Sequence, residues 1–327
     1  MVQSIIGAKP KPGAAPEVHR VTVDEGSEGQ RLDNFLVKLL KGVPKTHVYR
    51  VIRSGEVRVN KGRAAADTRL ALGDEVRIPP VRVAEATEKR SPPPREFAVV
   101  YEDEHLLAID KPAGVAVHGG SGVSFGVIEQ LRQARRTARF LELVHRLDKE
   151  TSGLLLIAKK RSALVALQDQ LRVVQGEKAM VKTYAALVIG TWPAHRKVID
   201  VALHKTMSEG GERRVRAVAD DHAAGRRSIT LVKINRTFES TTLLDVTIKT
   251  GRTHQIRVHL THEGHPIVGD DKYGDFALNK ALAKQTGFDR MFLHAARLRF
   301  THPASGEPIE LEAPLPAECV ALLDTLA

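Results

Sequence analysis

Between Phe97 and Thr301 the apolar residues arrive in eight short runs: Phe97 to Tyr101, Leu106 to Asp110, Gly153 to Ala158, Thr183 to Ile189, Ile229 to Ile234, Leu243 to Ile248, Ile256 to Leu260 and Leu298 to Thr301. Runs of this length, rich in Val, Ile and Leu and broken by Gly and polar residues, read as strands. Only Ser124 to Arg135 and Ser162 to Val174 carry helical spacing in this stretch. The strands do not alternate regularly with helices, so a doubly wound parallel sheet is disfavoured. The pattern predicts an α+β fold with one large mixed or mostly antiparallel sheet.

The 327 residues suit two domains. Pro and Gly dominate Met1 to Pro16, so residues 1–18 are expected to be a disordered tail. A small α/β domain is expected over 19–83. Leu32, Phe35, Leu36, Leu39 and Leu40 form a helical stripe ended by Gly42 and Pro44. Thr46 is the expected N-cap of a second helix through Val48, Val51 and Ile52. Glu56 to Asn60 alternates as a strand, Asn60-Lys61-Gly62 is a turn, and Gly73 to Ile78 is a further turn and strand. The charged stretch 84–95 ends in Pro92-Pro93-Pro94 and reads as a semi-rigid linker. A second domain should then fill 96–327.

Charge points to a polyanionic partner. Lys and Arg number 50 against 39 acids, a net of +11. Between Gly29 and Arg90 there are 14 bases and 7 acids, so 14 − 7 = +7 of that excess sits in less than a quarter of the chain. Concentrated positive charge favours phosphate contact. At 4% aromatic, the chain is not expected to bind RNA mainly by stacking. Two short helices followed by a basic hairpin resemble the S4 RNA-binding domain. That resemblance makes Arg31, Lys45, Arg50, Arg53, Arg58 and Lys61 the expected RNA contacts. The lone Cys319 excludes an internal disulfide and a cysteine-based zinc cluster, and suits a reducing, cytoplasmic setting. No stretch approaches the roughly 18–20 apolar residues of a membrane span.

Three segments can carry chemistry. Asp148 lies among His145, Arg146 and Lys149, just ahead of the apolar run Leu154 to Ala158. A carboxylate at the mouth of a buried sheet, ringed by cations, can stay ionised in a partly dry site, although a structural ion-pair cluster has the same composition. Lys182-Thr183-Tyr184 opens a half-buried strand. Thr250-Gly251-Arg252-Thr253-His254-Gln255-Ile256-Arg257 leads into a run expected to be a strand, with Gln255, Arg257 and His259 on one face and His254, Ile256 and Val258 on the other. On that reading His254 and His259 cannot share a metal, and no His-Glu-x-x-His pattern exists. The chain also lacks a Gly-x-Ser-x-Gly elbow, a kinase Gly-rich loop with its Asp-Phe-Gly, a Walker A loop and a dinucleotide fingerprint.

The run His145-Arg146-Leu147-Asp148 with Thr151-Ser152-Gly153 close behind resembles the signature of the RluA-type pseudouridine synthases. Asp110-Lys111-Pro112-Ala113-Gly114, Gly264 to Asp270, Tyr273-Gly274 and Leu293-His294-Ala295 extend the likeness and are expected to be scaffold. The resemblance spans about Gly29 to Pro316 and is strongest to the branch that carries an S4 domain. It implies that Asp148 is the catalytic carboxylate, acting either as nucleophile or as proton acceptor. It also implies that Tyr184 faces the uracil and that Arg257 pairs with Asp148. Among substrate contacts it implies Arg146, entering the RNA stack as the uridine flips out, and Ile256, packing on the base; His145, Lys149 and, less directly, Arg252 join them. The expected activity is isomerisation of uridine to pseudouridine at several uridines of 23S ribosomal RNA, as free RNA or an early assembly intermediate, by a monomer using no cofactor or metal. Transfer RNA is the alternative substrate, and a non-enzymatic RNA-binding assembly protein the alternative role. Met207 to Gly225 fits the likeness least well and receives no role.

Overall fold

The computed structural model describes residues 18–40, 42–81, 91–120, 123–173, 176, 179–207 and 213–327. The expected tail up to residue 17 and the linker residues 84–90 lie outside them. Two compact units meet between Ser91 and Pro92.

The first unit contains β1 (His19–Thr22), α1 (Leu32–Leu39), α2 (Lys45–Arg53), β2 (Arg58–Val59), β3 (Gly62–Arg63) and β4 (Glu75–Ile78). The strands form an antiparallel sheet in the order β1-β4-β2-β3. Leu32, Phe35 and Leu36 of α1 bury against Val48, Val51 and Ile52 of α2, the stripe that the spacing predicts. The second helix starts two residues earlier than expected. Pro44, not Thr46, precedes it, because a proline φ of −56° already suits a helix entry. The strand expected over Glu56 to Asn60 shrinks to Arg58–Val59, since Asn60 (φ 49°) and Lys61 (φ 69°) form a two-residue hairpin turn.

The second unit runs through β5 (Ala98–Glu102), β6 (Leu106–Lys111), α3 (Val127–Ala134), β7 (Glu142–Leu143), β8 (Ser152–Ala158), α4 (Arg161–Arg172) and β9 (Val181–Ile189). It continues with β10 (Val198–Asp200), β11 (Ala202–Met207), β12 (Arg213–Val218), β13 (Ile229–Thr237) and β14 (Thr241–Ile248). It closes with α5 (Gln255–His262), α6 (Phe276–Thr286), β15 (Leu293–Thr301), β16 (Pro308–Glu312) and α7 (Ala317–Thr325). The large sheet has the order β10-β13-β14-β9-β15-β8-β6-β5, with β16 beside β15 and β7 beside β8. Its pairings are antiparallel except β15 with β8. This is the mixed, mostly antiparallel α+β sheet that the apolar runs predict.

Helices cover both faces at the centre. Leu107, Ile109, Leu155 and Ile157 pack with Val127, Ile128 and Leu131 of α3, while Leu106, Ala108, Leu154 and Leu156 pack with Ala163, Leu164 and Leu167 of α4. Every residue of β8 is therefore buried, each large side chain contributing about 1.5–3 kcal/mol of transfer free energy. Gly153 opens β8 at φ +105°, where a Cβ would stand 2.4 Å from the Ala295 carbonyl oxygen. Only glycine lets the turn that carries Asp148 enter the sheet so close to β15.

One element departs from its expectation. Ile256 to Leu260 is helical, part of α5. Gln255 through Leu260 are all buried, so no polar stripe marks the helical period, and Ile and Val suggest a strand. What makes the helix is the turn before it. His254 takes a left-handed φ of 53°, and Gln255 Oε1 accepts the Arg252 N–H at 3.1 Å and the Thr250 hydroxyl at 2.8 Å. The alternating faces expected here are consequently replaced by a helical arrangement.

Candidate active site

Asp148 sits in the turn between β7 and β8, a short link that both flanking strands fix. Leu147 anchors it in the core, and the Thr151 N–H donates to the Asp148 carbonyl at 3.2 Å. Beneath the turn, fully buried Lys111 at the end of β6 donates to the carbonyls of Pro112 (2.8 Å), Val115 (2.8 Å) and Lys149 (3.1 Å). Burial pushes the Lys111 ammonium down to about 7, and the carboxylates of Glu150 and Asp148 oppose it. The sequence resemblance makes this lysine part of the scaffold. The three carbonyl contacts explain that role, because they lock the loop that aims Asp148.

Asp148 opens into a cavity of about 440 Å³ whose walls include Lys149, His254, Arg257, Lys272 and, from the β11–β12 hairpin, Arg214. Arg257 on α5 brings Nη1 to 3.6 Å from Asp148 Oδ2, so the pair that the resemblance implies is adjacent but not tight. The strong contact is elsewhere. Arg257 Nε and Nη2 donate to the two oxygens of Asp270, each at 2.7 Å. Both residues are buried, and the guanidinium lies 5.1 Å from the Tyr273 ring centre. Asp270 also accepts the N–H groups of Lys272 (2.8 Å) and Tyr273 (3.0 Å). Burial would raise the Asp270 carboxyl, but the Arg257 bonds and these amides hold it below the usual range. Arg257 is thus clamped from behind, with one nitrogen turned toward Asp148.

His254 lies 3.9 Å from Asp148 and shares a 2.8 Å hydrogen bond between Nδ1 and the Tyr273 hydroxyl. Burial lowers its basicity, Asp148 opposes this, and Arg257 and Lys272 add to the lowering. The Tyr273 oxygen in turn accepts the Val215 N–H at 3.0 Å, tying the hairpin to the site.

The other expected residues fall as follows. Tyr184 is buried on β9 in the same apolar cluster as Leu147 and Ile256, and burial and then Asp148 raise its phenol above the ordinary range. Ile256 belongs to that cluster from α5. Lys149 lines the cavity and pairs with Glu150 at 3.3 Å. Arg146 is exposed beside it, and Arg252 is exposed in the turn before α5. His145 does not line the cavity; its Nε2 accepts the Leu156 N–H at 3.1 Å, and burial pushes the imidazole down to about 3, so it is a neutral brace for β8. His259 is buried with its ring nitrogens at Thr230 Oγ1 (2.9 Å) and the Val201 carbonyl (3.2 Å). Among the described residues no group of three or more His, Cys, Asp or Glu could hold a metal ion.

In the first unit Lys45, Arg50, Arg53 and Lys61 are exposed, and Arg58 is half-buried. Arg31 is engaged within the fold: its guanidinium grips buried Asp33 at 3.1 and 2.7 Å, and this bond holds the Asp33 carboxyl below its ordinary value.

What sequence reasoning missed is the outer ring: Arg214, Lys272 and the Asp270 clamp. The segment Gly269-Asp270-Asp271-Lys272-Tyr273-Gly274 was its signal, since two acids and an aromatic in a glycine-bounded turn require cationic partners.

Known proteins match this chain along most of its length. Family models of "RNA pseudouridylate synthase" and "S4 domain" match residues 105–262 and 30–76. Ribosomal large subunit pseudouridine synthase C of Escherichia coli K12 is 52% identical over 307 residues, 92% of this chain and 94% of that protein. The Pasteurella multocida protein of the same name is 49% identical over 315 residues, 94% of each chain. In three dimensions the chain is similar to Human RNA Pseudouridylate Synthase Domain Containing 4, with TM-score 0.57 and 27% identity over 70% of this chain and 92% of that one.

Proposed function

Since the chain belongs to the RNA pseudouridylate synthase family and is a uridine-isomerising enzyme, we propose that it converts several uridines of 23S ribosomal RNA to pseudouridine, with Asp148 as the carboxylate that drives the reaction. The observation that carries this reading is the Asp148 carboxylate facing a cavity whose walls also hold Lys149, Arg214, His254 and Lys272, with Glu150 and Asp271, and with Arg257 clamped behind it. An acid so placed is ready for a sugar whose glycosidic bond must be broken, and the cations receive the flanking phosphates.

The reaction needs no added group. The C1′–N1 bond of uridine breaks, the base turns, and C1′–C5 forms; the proton on C5 is lost and N1 gains one. Asp148 promotes the first step by adding to the nucleoside or by taking a proton from the ribose. Tyr184 and Ile256 give the uracil an apolar seat, and Tyr184, whose phenol is raised by burial and further by the Asp148 charge, takes part in the later proton transfer. Arg146, exposed at the rim, enters the stack that the uridine leaves; Lys149 and Arg252 flank it. The unit 19–83 captures RNA through Lys45, Arg50, Arg53, Arg58 and Lys61. The enzyme works as a cytoplasmic monomer on free RNA or an early assembly intermediate. In support, no helix of the described residues is long and apolar enough to cross a membrane.

Asp148→Asn tests the proposal. The variant should bind RNA with unchanged affinity and form pseudouridine at least a thousandfold more slowly. Pseudouridine mapping in cells lacking the protein should show loss at 23S positions; loss confined to transfer RNA would overturn the choice of substrate.

A further inference from the structure

Lys182 is the cation that none of the roles above uses. It lies two residues before Tyr184 on β9, so both side chains leave the same side of the strand about 6–7 Å apart along it. The lysine is half-buried in a narrow cleft with Met180, Thr247, Lys249 and Gly251. Its ammonium reaches the Gly251 backbone, since a Cβ built there would stand 3.7 Å from Nζ. It also sits close enough to the His145 ring to depress that imidazole. Lys182 is therefore wedged between the two loops that carry Arg146 and Arg252. No hydrogen bond or ion pair joins it to any described residue, and burial alone, with no carboxylate acting against it, lowers the ammonium to about 8.

Burying an unpaired ammonium costs stability and is not a feature that folding alone selects. Here the same lysine stands two residues from Tyr184 on β9, with Lys249 in the same cleft and no acid among the described residues that line it. Resting on the reading that this cleft takes a uridine from RNA, we propose that Lys182 is a phosphate-binding residue that seats the RNA backbone next to the flipped nucleotide. Its ammonium receives a phosphate oxygen between the Arg146 and Arg252 loops, supplying in the complex an ion pair that it does not make with any described residue. The desolvation already present in the free protein makes that contact stronger than an open surface pair.

The test compares Lys182→Met and Lys182→Arg with wild type in the full chain, on a 23S transcript that wild type modifies. Lys182→Met should raise KM about tenfold and make the slope of log affinity against log salt shallower by about 0.7, the share of one phosphate on a single strand. Its Tm should equal or exceed that of wild type, because a buried unpaired charge has been removed. Lys182→Arg should restore most of the affinity and the salt slope. If Lys182→Met unfolds at a lower temperature while KM and the salt slope stay at wild-type values, the lysine is structural and the proposal falls. If kcat alone falls, it acts in the chemistry and the proposal falls as well. If wild type forms no pseudouridine in any RNA, the functional reading itself fails and takes this assignment with it.

Discussion

Asp270→Asn isolates the clamp behind Arg257. The substitution keeps size and an acceptor oxygen but removes the charge and replaces the second acceptor with an amide that cannot receive an N–H. In the native protein both Arg257 bonds are 2.7 Å and both partners are buried. Removing one member of such a pair typically costs about 3–5 kcal/mol, since the other charge stays buried and uncompensated. Asp148 at 3.6 Å and Asp271 at 3.5 Å still offset part of that charge, which places the expected loss near the lower bound, about 3 kcal/mol. At about 2–4 °C per kcal/mol for a unit of this size, Tm should fall by about 6–12 °C. The freed guanidinium is then left between Asp271, which is exposed, and Asp148, and should close on the carboxylate that must stay open. Single-turnover pseudouridine formation should slow by about tenfold to a hundredfold, with RNA affinity nearly unchanged. Calorimetry and a single-turnover assay on the same preparation check both numbers. A variant that melts within 1 °C of wild type (roughly the shift expected for less than 0.5 kcal/mol) and reacts at full speed would refute the clamp. The native Asp270 carboxyl lies below its ordinary range, so its stabilisation is present above the unfolded-state pKa and is lost as pH falls through the folded one. The Asn variant should lack that part of acid sensitivity.

Two further outcomes follow from single contacts. Gly153→Ala should cost at least about 3 kcal/mol and abolish activity at temperatures where wild type works, because the new methyl meets the Ala295 carbonyl at 2.4 Å and the backbone sits at φ +105°; thermal melting measures it. His259 is held near pKa 4 by burial, so the unfolded chain takes up its proton first on acidification. Its contribution is full above about pH 6.5 and is lost as pH falls toward 4, a slope in Tm against pH that His259→Gln should flatten.

The parts of this architecture that could be read from the sequence are those where one physical pattern had one meaning. The apolar runs over β6, β8, β9 and β14 are buried on both faces and could only be strands. The Asp148 turn announced itself because an acid among three bases precedes the most apolar run in the chain. Arg257 was legible as a residue but not as a position. Burial all around α5 erased the 3.6-residue period, and the capping device, a left-handed His254 with the Gln255 side chain folded back, leaves no hydropathy trace. The clamp was hidden for a different reason: Asp270 follows Arg257 by 13 positions across a turn, so their pairing is a property of the tertiary path. The hairpin escaped as well. Its strands alternate polar and apolar residues only weakly, because little of it is covered.

That hairpin rests on a small apolar cluster of its own, in which Leu203 and Val215 meet Val258 and Tyr273, apart from the core that holds Tyr184 and Leu147. A phenol oxygen links it to the reacting groups by bridging the Val215 amide and the His254 ring. A segment mounted this way is an exchangeable attachment. Arg257 is held by Asp270 and Asp148 by its own turn, so substitutions in the hairpin strands can alter the rim of the cavity while the bond-making residues keep their supports.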